Sequence, residues 1–319
     1  MKVDPSFSTL IKEIRELSLK DRMHTRKVIH WTENSRLRSG PGKAIVFILP
    51  TRGCSWALSK SGGCSICGYI YDNPTEPDFE LILSSIDEIL SKSITNDEKY
   101  SIKLFTSGSF LDTSEIPIEI QTKILKKISR YKEVAEIVLE SRPEYVTDKT
   151  LKKIAEVIDI KKIEIAIGLE SANNNILKKS INKGFWWDDF VEANSKIVSA
   201  GAKVKAYLLF KPPFVSEFDS IRDIFESVAK LVTLGIDTIS INSVSIHRGT
   251  FLSKIFDNQQ YRPPWLWSLL HLCKEIKSKN PEFFKNKSSA SRNIATDIRR
   301  TKLLFVITSK KQNKRLLYG

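Results

Sequence analysis

The sequence predicts an α/β fold built on a parallel sheet. Short apolar runs rich in β-branched residues recur between longer segments whose apolar residues have helical spacing. Glycine or polar turns separate the two kinds of segment, and the chain has no internal repeat. Its 319 residues are enough for one large α/β domain with short extensions. Periodicity alone leaves open whether the sheet is flat and doubly wound or curved into an incomplete barrel.

The predicted strands are the short apolar runs. They cover residues 44–49, 101–106, 136–140, 162–167, 203–210 and 237–244. The first run is apolar throughout, as expected for a strand buried on both faces of a parallel sheet. Helical spacing predicts helices over residues 79–92, 116–131, 147–157, 187–200 and 217–234. Right-handed crossovers between such strands give one continuous sheet, with the loops after the strands gathered at its carboxyl edge.

The chain is predicted to have three parts. Residues 1–43 form an N-terminal extension, residues 44–250 the α/β core, and residues 251–319 a small, basic α+β extension. In the first part we expect a helix over residues 9–19. In the last part, prolines at 263–264 precede a predicted helix over residues 265–277, and a final strand is expected over residues 303–307. Cys273 lies among leucines in this helix and is expected to be a buried core residue.

The chain is strongly basic. Its 51 lysines and arginines exceed its 37 aspartates and glutamates, which gives a net charge of +14. Such an excess favours a polyanionic partner such as nucleic acid, and a solvated basic surface is the simpler alternative. The apolar runs are too short to span a membrane, and the N-terminus lacks the apolar segment of a signal peptide. We therefore expect a cytoplasmic protein without a membrane partner.

Three of the four cysteines lie in one glycine-rich loop after the first predicted strand. Cys54, Cys64 and Cys67 have the spacing Cys-x9-Cys-x2-Cys. Thiolates bind both zinc and iron-sulfur clusters, but no His, Asp or Glu lies between Arg52 and Tyr71 to complete a closed zinc site. The pattern favours a four-iron cluster with one iron left open for another ligand. Zinc completed by a residue elsewhere in the chain, or three unliganded thiols, remain the alternatives.

Small or charged residues follow the next predicted strands. They are Ser107, Gly108 and Ser109 after the second strand, Arg142 after the third, and Glu170 and Ser171 after the fourth. Glycine and serine allow a ligand to approach the backbone closely, and the charged residues offer polar contacts. Each position is a weak signal by itself. Because parallel strands end at the same edge, all of them are expected near the cysteine loop.

The loop and the strand ends resemble the radical S-adenosylmethionine (radical SAM) superfamily, which implies a partial (β/α)6 barrel. The usual signature of that superfamily has three residues between the first two cysteines, whereas this chain has nine. The longer spacing is similar to that of the branch containing the elongator-type enzymes. Within it, the chain resembles the archaeosine-forming radical SAM enzymes most specifically over residues 51–56, 63–69, 181–185 and 261–267. Residues 288–292 lack the cysteine-bearing segment that this family leads us to expect.

The resemblance implies two cofactors, a 4Fe-4S cluster and S-adenosylmethionine. It implies that Cys54, Cys64 and Cys67 bind three irons, while the methionine end of S-adenosylmethionine chelates the fourth. Ser107, Gly108 and Ser109 are expected to meet the methionine amino group, Arg142 its carboxylate, and Glu170 and Ser171 the ribose hydroxyls. Reduction by an external electron donor would then release a 5′-deoxyadenosyl radical. The sequence assigns no further catalytic residue.

The resemblance also implies a substrate and a partner. The substrate would be tRNA carrying a lysine-adducted 7-deazaguanine at position 15, made by the lysine transferase that is the α subunit of archaeosine synthase. Cleavage of a C–N bond would leave archaeosine. Trp186, Trp187, Trp265 and Trp267 are candidates to stack on a splayed base, with core packing as the alternative. Two other hypotheses are a radical SAM enzyme acting on another tRNA position or a small molecule, and a non-catalytic, zinc-containing tRNA-binding protein.

Overall fold

One sheet organises the part of the chain that the computed structural model describes, namely residues 2–20, 27–279 and 302–305. Its strands are β1 (Ile29–Leu37), β2 (Gly40–Ile48), β3 (Tyr100–Phe105), β4 (Val134–Ser141), β5 (Ile163–Glu170), β6 (Lys203–Phe210), β7 (Thr238–Ser243) and β8 (Lys302–Phe305). They lie side by side in chain order. β1 is antiparallel to β2, and every later pair is parallel. The sheet curls into a half-barrel, since its order never reverses as in a doubly wound sheet.

The helices are α1 (Pro5–Leu19), α2 (Ser55–Leu58), α3 (Phe79–Ser93), α4 (Ile118–Ser129), α5 (Asp148–Ala155), α6 (Asn174–Ile176), α7 (Trp187–Ser199), α8 (Glu217–Thr233), α9 (Phe251–Asp257) and α10 (Leu266–Lys279). The outer face of the half-barrel is covered by α3, α4, α5, α7, α8 and α10, whereas α1, α2 and α9 pack in smaller separate clusters. Local signals fix several ends. Asp78 caps α3 by accepting a hydrogen bond from the Leu81 N–H, and Gly235 follows α8 with a left-handed φ of +75°.

The two faces of the sheet differ in polarity because side chains alternate along a strand. On the outer face, Phe47, Leu104 and Ile165 are fully buried in the main core against the helices. The inner, concave face carries polar side chains at the intervening positions. Among them are Lys103, Glu140, Lys205, Tyr207 and Asn242. The concave face is therefore suited to polar ligands, while the outer face holds the fold together.

The structure confirms the predicted fold class and the partial barrel. The six predicted strands correspond to β2 through β7, and the helices predicted between them correspond to α3, α4, α5, α7 and α8. Cys273 is half-buried and packs against the main core from α10. Burial raises the pKa of this thiol to about 12. Within the described residues, no helix has both the length and the apolar character needed to cross a membrane.

Two predictions for the N-terminal part are wrong. The sequence analysis places no strand before residue 44, but β1 pairs with β2 along its whole length. Most positions of β1 are exposed and polar, so the strand lacks the apolar run that marks the others. Helix α1 begins at Pro5 instead of residue 9, because Asp4 accepts hydrogen bonds from the N–H groups of Ser6 and Phe7. The sheet thus continues across residue 43, and the three-part division stays a prediction.

The C-terminal part follows its prediction where it is described. Helix α10 corresponds to the predicted helix over residues 265–277, with its ends slightly shifted. Strand β8 overlaps the predicted last strand and pairs with β7. Residues 306–307 of that predicted strand, the segment 288–292 and the basic end of the chain lie outside the described residues.

Candidate active site

The cysteine loop follows β2 at the carboxyl edge of the half-barrel. Cys54 lies at the start of the short helix α2, and Cys64 and Cys67 follow a turn formed by Gly62 and Gly63. Both glycines have left-handed φ values, +69° and +83°. A Cβ on Gly62 would approach the backbone of α1 to 2.5 Å, and a Cβ on Gly63 would approach Ala57 to 2.6 Å. Only glycine therefore allows the loop this path.

The three thiols influence one another. Burial raises the pKa of Cys54 to about 12, with the positive charge of Arg142 opposing and the neighbouring Cys64 and Cys67 adding to the rise. Burial also raises the pKa of Cys67, and Cys64 raises it further. The raised pKa values keep the Cys54 and Cys67 thiols protonated until a metal displaces the protons, so metal binding there must release protons.

The donor set fits a cluster better than a single metal ion. Among the described residues, no three His, Cys, Asp or Glu side chains lie close enough together to hold one ion. The sulfurs around a zinc ion would be about 3.8 Å apart, given tetrahedral geometry and Zn–S bonds of about 2.3 Å. The three thiols of this loop do not form such a group, and three thiolates on separate irons suit a 4Fe-4S cluster. The residues present therefore fit the predicted cluster.

Helix α1 holds one side of the cysteine loop. Arg15 is 3% exposed, and its Nε donates to the carbonyl oxygen of Gly62 at 2.9 Å. Its Nη2 donates to the carbonyl oxygen of Cys64 at 3.2 Å, and its guanidinium lies 5.1 Å from the ring centroid of Tyr71. Ser8 donates to the carbonyl oxygen of Ser61. Arg15 is not predicted from the sequence, because no local spacing links a helix near residue 15 to a loop 47 residues later.

Residues 180–185 hold the other side of the loop. The Asn182 side chain donates to the carbonyl oxygens of Ser61 and Gly63, at 3.0 and 2.9 Å. Trp56 in turn donates from its indole nitrogen to the Asn182 carbonyl oxygen at 2.9 Å. A Cβ on Gly184 would lie 2.5 Å from the Trp56 ring, so the glycine lets this ring pack closely. The backbone of the loop is therefore held from both sides. These contacts do not use the cysteine thiols, which stay available to bind metal.

The turn after β3 lies directly against Cys54. A Cβ on Gly108 would lie 2.6 Å from the Cys54 Cα and would also meet the carboxylate of Glu115. Glu115 is 1% exposed and accepts hydrogen bonds from the Thr51 hydroxyl at 2.5 Å and the Ser109 N–H at 2.7 Å. Burial raises the pKa of Glu115 to about 7 in spite of these bonds. This glutamate, which the sequence analysis missed, joins the start of the cysteine loop to the turn.

The predicted ligand residues of this turn use their hydroxyls within the protein. Ser107 donates to the Asn73 side chain at 2.8 Å, and the Ser109 hydroxyl accepts from the Arg142 N–H at 3.0 Å. These bonds place Ser107, Gly108 and Ser109 beside the cysteine loop. Backbone carbonyl groups are then the groups of this turn best suited to meet an amino group.

Arg142 is a buried cation next to the cysteines. It is 7% exposed, and its guanidinium lies 5.3 Å from the ring of Trp56 and 5.1 Å from the ring of Phe185. Its Nε donates to Glu144 at 2.5 Å, and its Nη2 donates to the carbonyl oxygen of Lys183 at 3.0 Å. Two of its nitrogens are thus already used. Its positive charge still acts on Cys54, where it opposes the rise in the thiol pKa that burial causes.

The side chains of Glu170 and Ser171, at the end of β5, contact different parts of the structure. Glu170 has a left-handed φ of +68° and forms a 2.9 Å ion pair with Lys183. Burial would lower the pKa of Lys183, but Glu170 and Cys64 hold it above its ordinary value. Ser171 is fully buried and donates to Asp223 on α8 at 2.7 Å. The structure therefore brings Glu170 to the cysteine side and directs the Ser171 hydroxyl into the helix layer.

A polar group on the concave face adjoins these residues. Burial raises the pKa of Glu140 to about 7, with Lys205 and a hydrogen bond from Tyr207 opposing the rise. Lys205 lies 4.8 Å from the ring centroid of Tyr207. Partial burial raises the pKa of Tyr69, and the charges of Cys67 and Glu140 raise it further. Groups with perturbed pKa values gather at functional sites. Here such groups extend from the cysteine loop to the interior of the half-barrel.

Comparison with known proteins identifies the family. The sequence profile of the radical SAM superfamily matches residues 48–228, which include the cysteine loop and β3 through β6. This chain belongs to the radical SAM superfamily. The predicted cofactors, a 4Fe-4S cluster and S-adenosylmethionine, are therefore confirmed as those of its family.

Two relatives extend the similarity beyond the profile. The chain is 35% identical to archaeosine synthase subunit beta of Methanosarcina acetivorans, over 87% of this chain and 80% of the relative. It is 40% identical to the protein of the same name from Thermococcus kodakarensis, over 79% of this chain and 78% of the relative. Both alignments cover more of this chain than the radical SAM profile does.

A solved structure agrees on the fold alone. SuiB of Streptococcus suis, determined with S-adenosylmethionine bound, superposes with a TM-score of 0.53 at 13% identity. The match covers 82% of this chain and 49% of SuiB, so this chain spans about half the length of that protein. At this identity, the similarity supports the radical SAM half-barrel and nothing about substrate.

The long spacing in the radical SAM signature of this chain now has a structural explanation. The residues between Cys54 and Cys64 form helix α2 and the glycine turn, and these are the parts that Arg15 and Asn182 hold. α1 lies outside residues 48–228, so the family profile does not include this support.

Proposed function

We propose that this chain is a radical SAM enzyme of tRNA modification that forms archaeosine. Its substrate is tRNA with a lysine-adducted 7-deazaguanine at position 15, and the reaction cleaves a C–N bond of the lysine adduct. The observation that carries the proposal is the 35% to 40% identity to two proteins named archaeosine synthase subunit beta, over most of the chain. The net charge of +14 supports a nucleic-acid substrate independently.

Each part of the site has a role in this proposal. Cys54, Cys64 and Cys67 hold three irons of the cluster, and the backbone of residues 107–109 positions the methionine amino group. Glu170, paired with Lys183, orients the ribose. When bound, the cluster and S-adenosylmethionine supply the one-electron chemistry that abstracts a hydrogen atom from the lysine side chain. The protein positions both cofactor and substrate and keeps water out of the half-barrel.

The proposal includes partners. The relatives are named as beta subunits, which supports a second subunit. We assign to that subunit the attachment of lysine to the tRNA base. The cluster also needs an external electron donor. A reducing cytoplasm suits thiolate ligands and is where we place the reaction.

The decisive experiment is an anaerobic assay with lysine-adducted tRNA, S-adenosylmethionine and a chemical reductant. We expect about four irons per chain, formation of 5′-deoxyadenosine, and archaeosine in the digested tRNA. Alanine at Cys54, Cys64 or Cys67 should abolish all three, whereas Cys273→Ala should retain them. Production of 5′-deoxyadenosine without archaeosine would indicate another substrate. A zinc-loaded protein that binds tRNA without forming 5′-deoxyadenosine would indicate a non-catalytic binding protein.

A further inference from the structure

Two tryptophans near the end of the described chain are unusually exposed. Trp265 is 60% exposed and Trp267 is 75% exposed, although large aromatic side chains mostly lie in cores or interfaces. By contrast, Trp187 stacks on Phe190 at a centroid distance of 5.6 Å and lies against the main core. Core packing, the alternative in the sequence analysis, therefore holds for Trp187 and not for Trp265 and Trp267.

The exposed tryptophans belong to a surface that also carries positive charge. Arg262 places its guanidinium 4.9 Å from the ring centroid of Trp265. On α10, His271 and Lys274 follow Trp267 at intervals of four and three residues, so the three side chains lie on one exposed stripe of the helix. The opposite side of α10 is buried in the main core through Leu269, Leu272 and Ile276. We call Arg262, Trp265, Trp267, His271 and Lys274 the aromatic-basic face.

This face is anchored at the carboxyl edge of the half-barrel. The Tyr261 hydroxyl donates to the carbonyl oxygen of Lys211, the residue directly after β6, at 2.6 Å. Glu217 accepts from both the Arg262 guanidinium at 2.5 Å and the Trp265 N–H at 2.9 Å. Since β2 and β6 are parallel strands of one sheet, the cysteine loop leaves the same edge. A polymer bound on the aromatic-basic face is thus on the side from which the site is reached.

We propose that the aromatic-basic face binds unpaired nucleotides of the tRNA substrate, with the two indoles stacking on bases and the cations meeting phosphates. The inference rests on the proposed function and specifies where its substrate docks. Proteins bind splayed or single-stranded nucleotides by aromatic platforms beside basic side chains, and the stacked guanidinium of Arg262 provides both features in one place. The net charge of +14 favours a polyanionic partner for the chain, and the exposed Lys274 places a cation on this face to meet it.

The test measures tRNA affinity of the cluster-containing protein at several salt concentrations. We expect Trp265→Ala and Trp267→Ala each to weaken binding by about 5-fold to 150-fold, as for the loss of one stacked base. The double variant Trp265→Phe/Trp267→Phe should retain most of the affinity. Lys274→Gln should reduce the salt dependence by about one phosphate contact. Trp31→Ala is the matched control, because Trp31 is also exposed, at 38%, but lies on edge strand β1.

Iron content and the rate of 5′-deoxyadenosine formation without tRNA should stay at the wild-type level in every variant. The inference is overturned if Trp265→Ala/Trp267→Ala binds tRNA as tightly as Trp31→Ala. It is also overturned if that double variant loses only its association with a protein subunit, since the face would then belong to a protein partner. Wild-type protein that fails to bind tRNA would instead contradict the proposed function, so the two failures are distinguishable.

Discussion

Arg15 donates a hydrogen bond to the carbonyl oxygen of Cys64, 3.2 Å away, and so couples the N-terminal helix to a proposed cluster ligand. The same guanidinium donates to the carbonyl oxygen of Gly62, and that second bond is fully buried. Hydrogen bonds made by a charged group contribute about 1.5–3 kcal/mol each. Arg15→Gln should therefore leave the half-barrel folded but loosen the cysteine loop. We expect lower iron occupancy and faster loss of visible absorbance in air.

The control for this variant is Glu13→Gln, an exposed change on the same helix. It should match the wild type in iron content and in the rate of bleaching. Circular dichroism separates loosening of the loop from unfolding of the protein. Equal cluster lifetimes in Arg15→Gln and Glu13→Gln would show that α1 does not support the loop.

Gly108→Ala tests the contact between the turn after β3 and Cys54. The added Cβ would lie 2.6 Å from the Cys54 Cα and would meet the Glu115 carboxylate, so either the turn or the cysteine loop must move. Overpacking of this kind costs about 1–3 kcal/mol. We expect weaker binding of S-adenosylmethionine, measured by calorimetry on the anaerobically reconstituted protein, together with reduced stability.

Gly235→Ala provides the comparison for this glycine. Gly235 has a left-handed φ of +75° but no atom within 4 Å of its would-be Cβ, so alanine there adds backbone strain without a clash. It should lower stability by about 1 kcal/mol and leave cofactor binding unchanged. If both alanine variants bound S-adenosylmethionine equally well, the close approach at Gly108 would have no functional consequence.

The elements that the sequence predicts well are those whose signal is local. β2 through β7 carry apolar runs, and helices such as α8 have both periodicity and a glycine after their last turn. β1 escapes prediction because an exposed edge strand can be polar. The cysteine loop is found from spacing, since its ligands are close together in the chain.

The rest of the site depends on contacts between distant segments. Arg15, Glu115 and Asn182 support the cysteine loop and the adjoining turn from three separate places, and none of them has a distinguishing spacing. The direction that a side chain takes after a strand also depends on contacts with distant segments. Glu170 turns toward Lys183, whereas the next hydroxyl, that of Ser171, turns toward Asp223. Patterns place such residues at the correct edge of the sheet but do not specify their partners.

Asp223 should make stability depend on pH. It is 5% exposed, and burial raises its pKa to about 6 from an ordinary value of 3.8, with the Ser171 hydrogen bond opposing the rise. Between these two values the unfolded chain loses this proton before the folded chain does. Stability therefore falls as pH rises from about 4 to 6, by about 3 kcal/mol in all. Asp223→Asn should remove this fall and raise stability at neutral pH.

Denaturant unfolding of the metal-free protein at several pH values measures this effect. Asp219→Asn, a change at a half-exposed carboxylate on the same helix, should keep the wild-type pH dependence. Because Asp223 lies in the helix layer, neither variant should alter cofactor binding. An Asp223→Asn protein whose stability still fell over the same pH range would contradict the assignment of the titration to this carboxyl group.

The buried ion pair between Glu170 and Lys183 should behave as a unit. The side chains are 16% and 10% exposed, and Gly168 leaves room for them, since a Cβ there would lie 2.9 Å from the carboxylate and 3.1 Å from the Lys183 Nζ. Removing one partner leaves the other charge buried and unpaired, which costs about 3–5 kcal/mol. Glu170→Gln and Lys183→Met should each be strongly destabilising, and the double variant should lose much less than the sum. Unfolding free energies of the four proteins give the coupling. The exposed pair Glu88 and Lys92 should give a much smaller coupling in the same cycle. A coupling at Glu170 and Lys183 no larger than that of the surface pair would mean that the two residues act independently, and Glu170 would then be oriented toward the cofactor by the backbone alone.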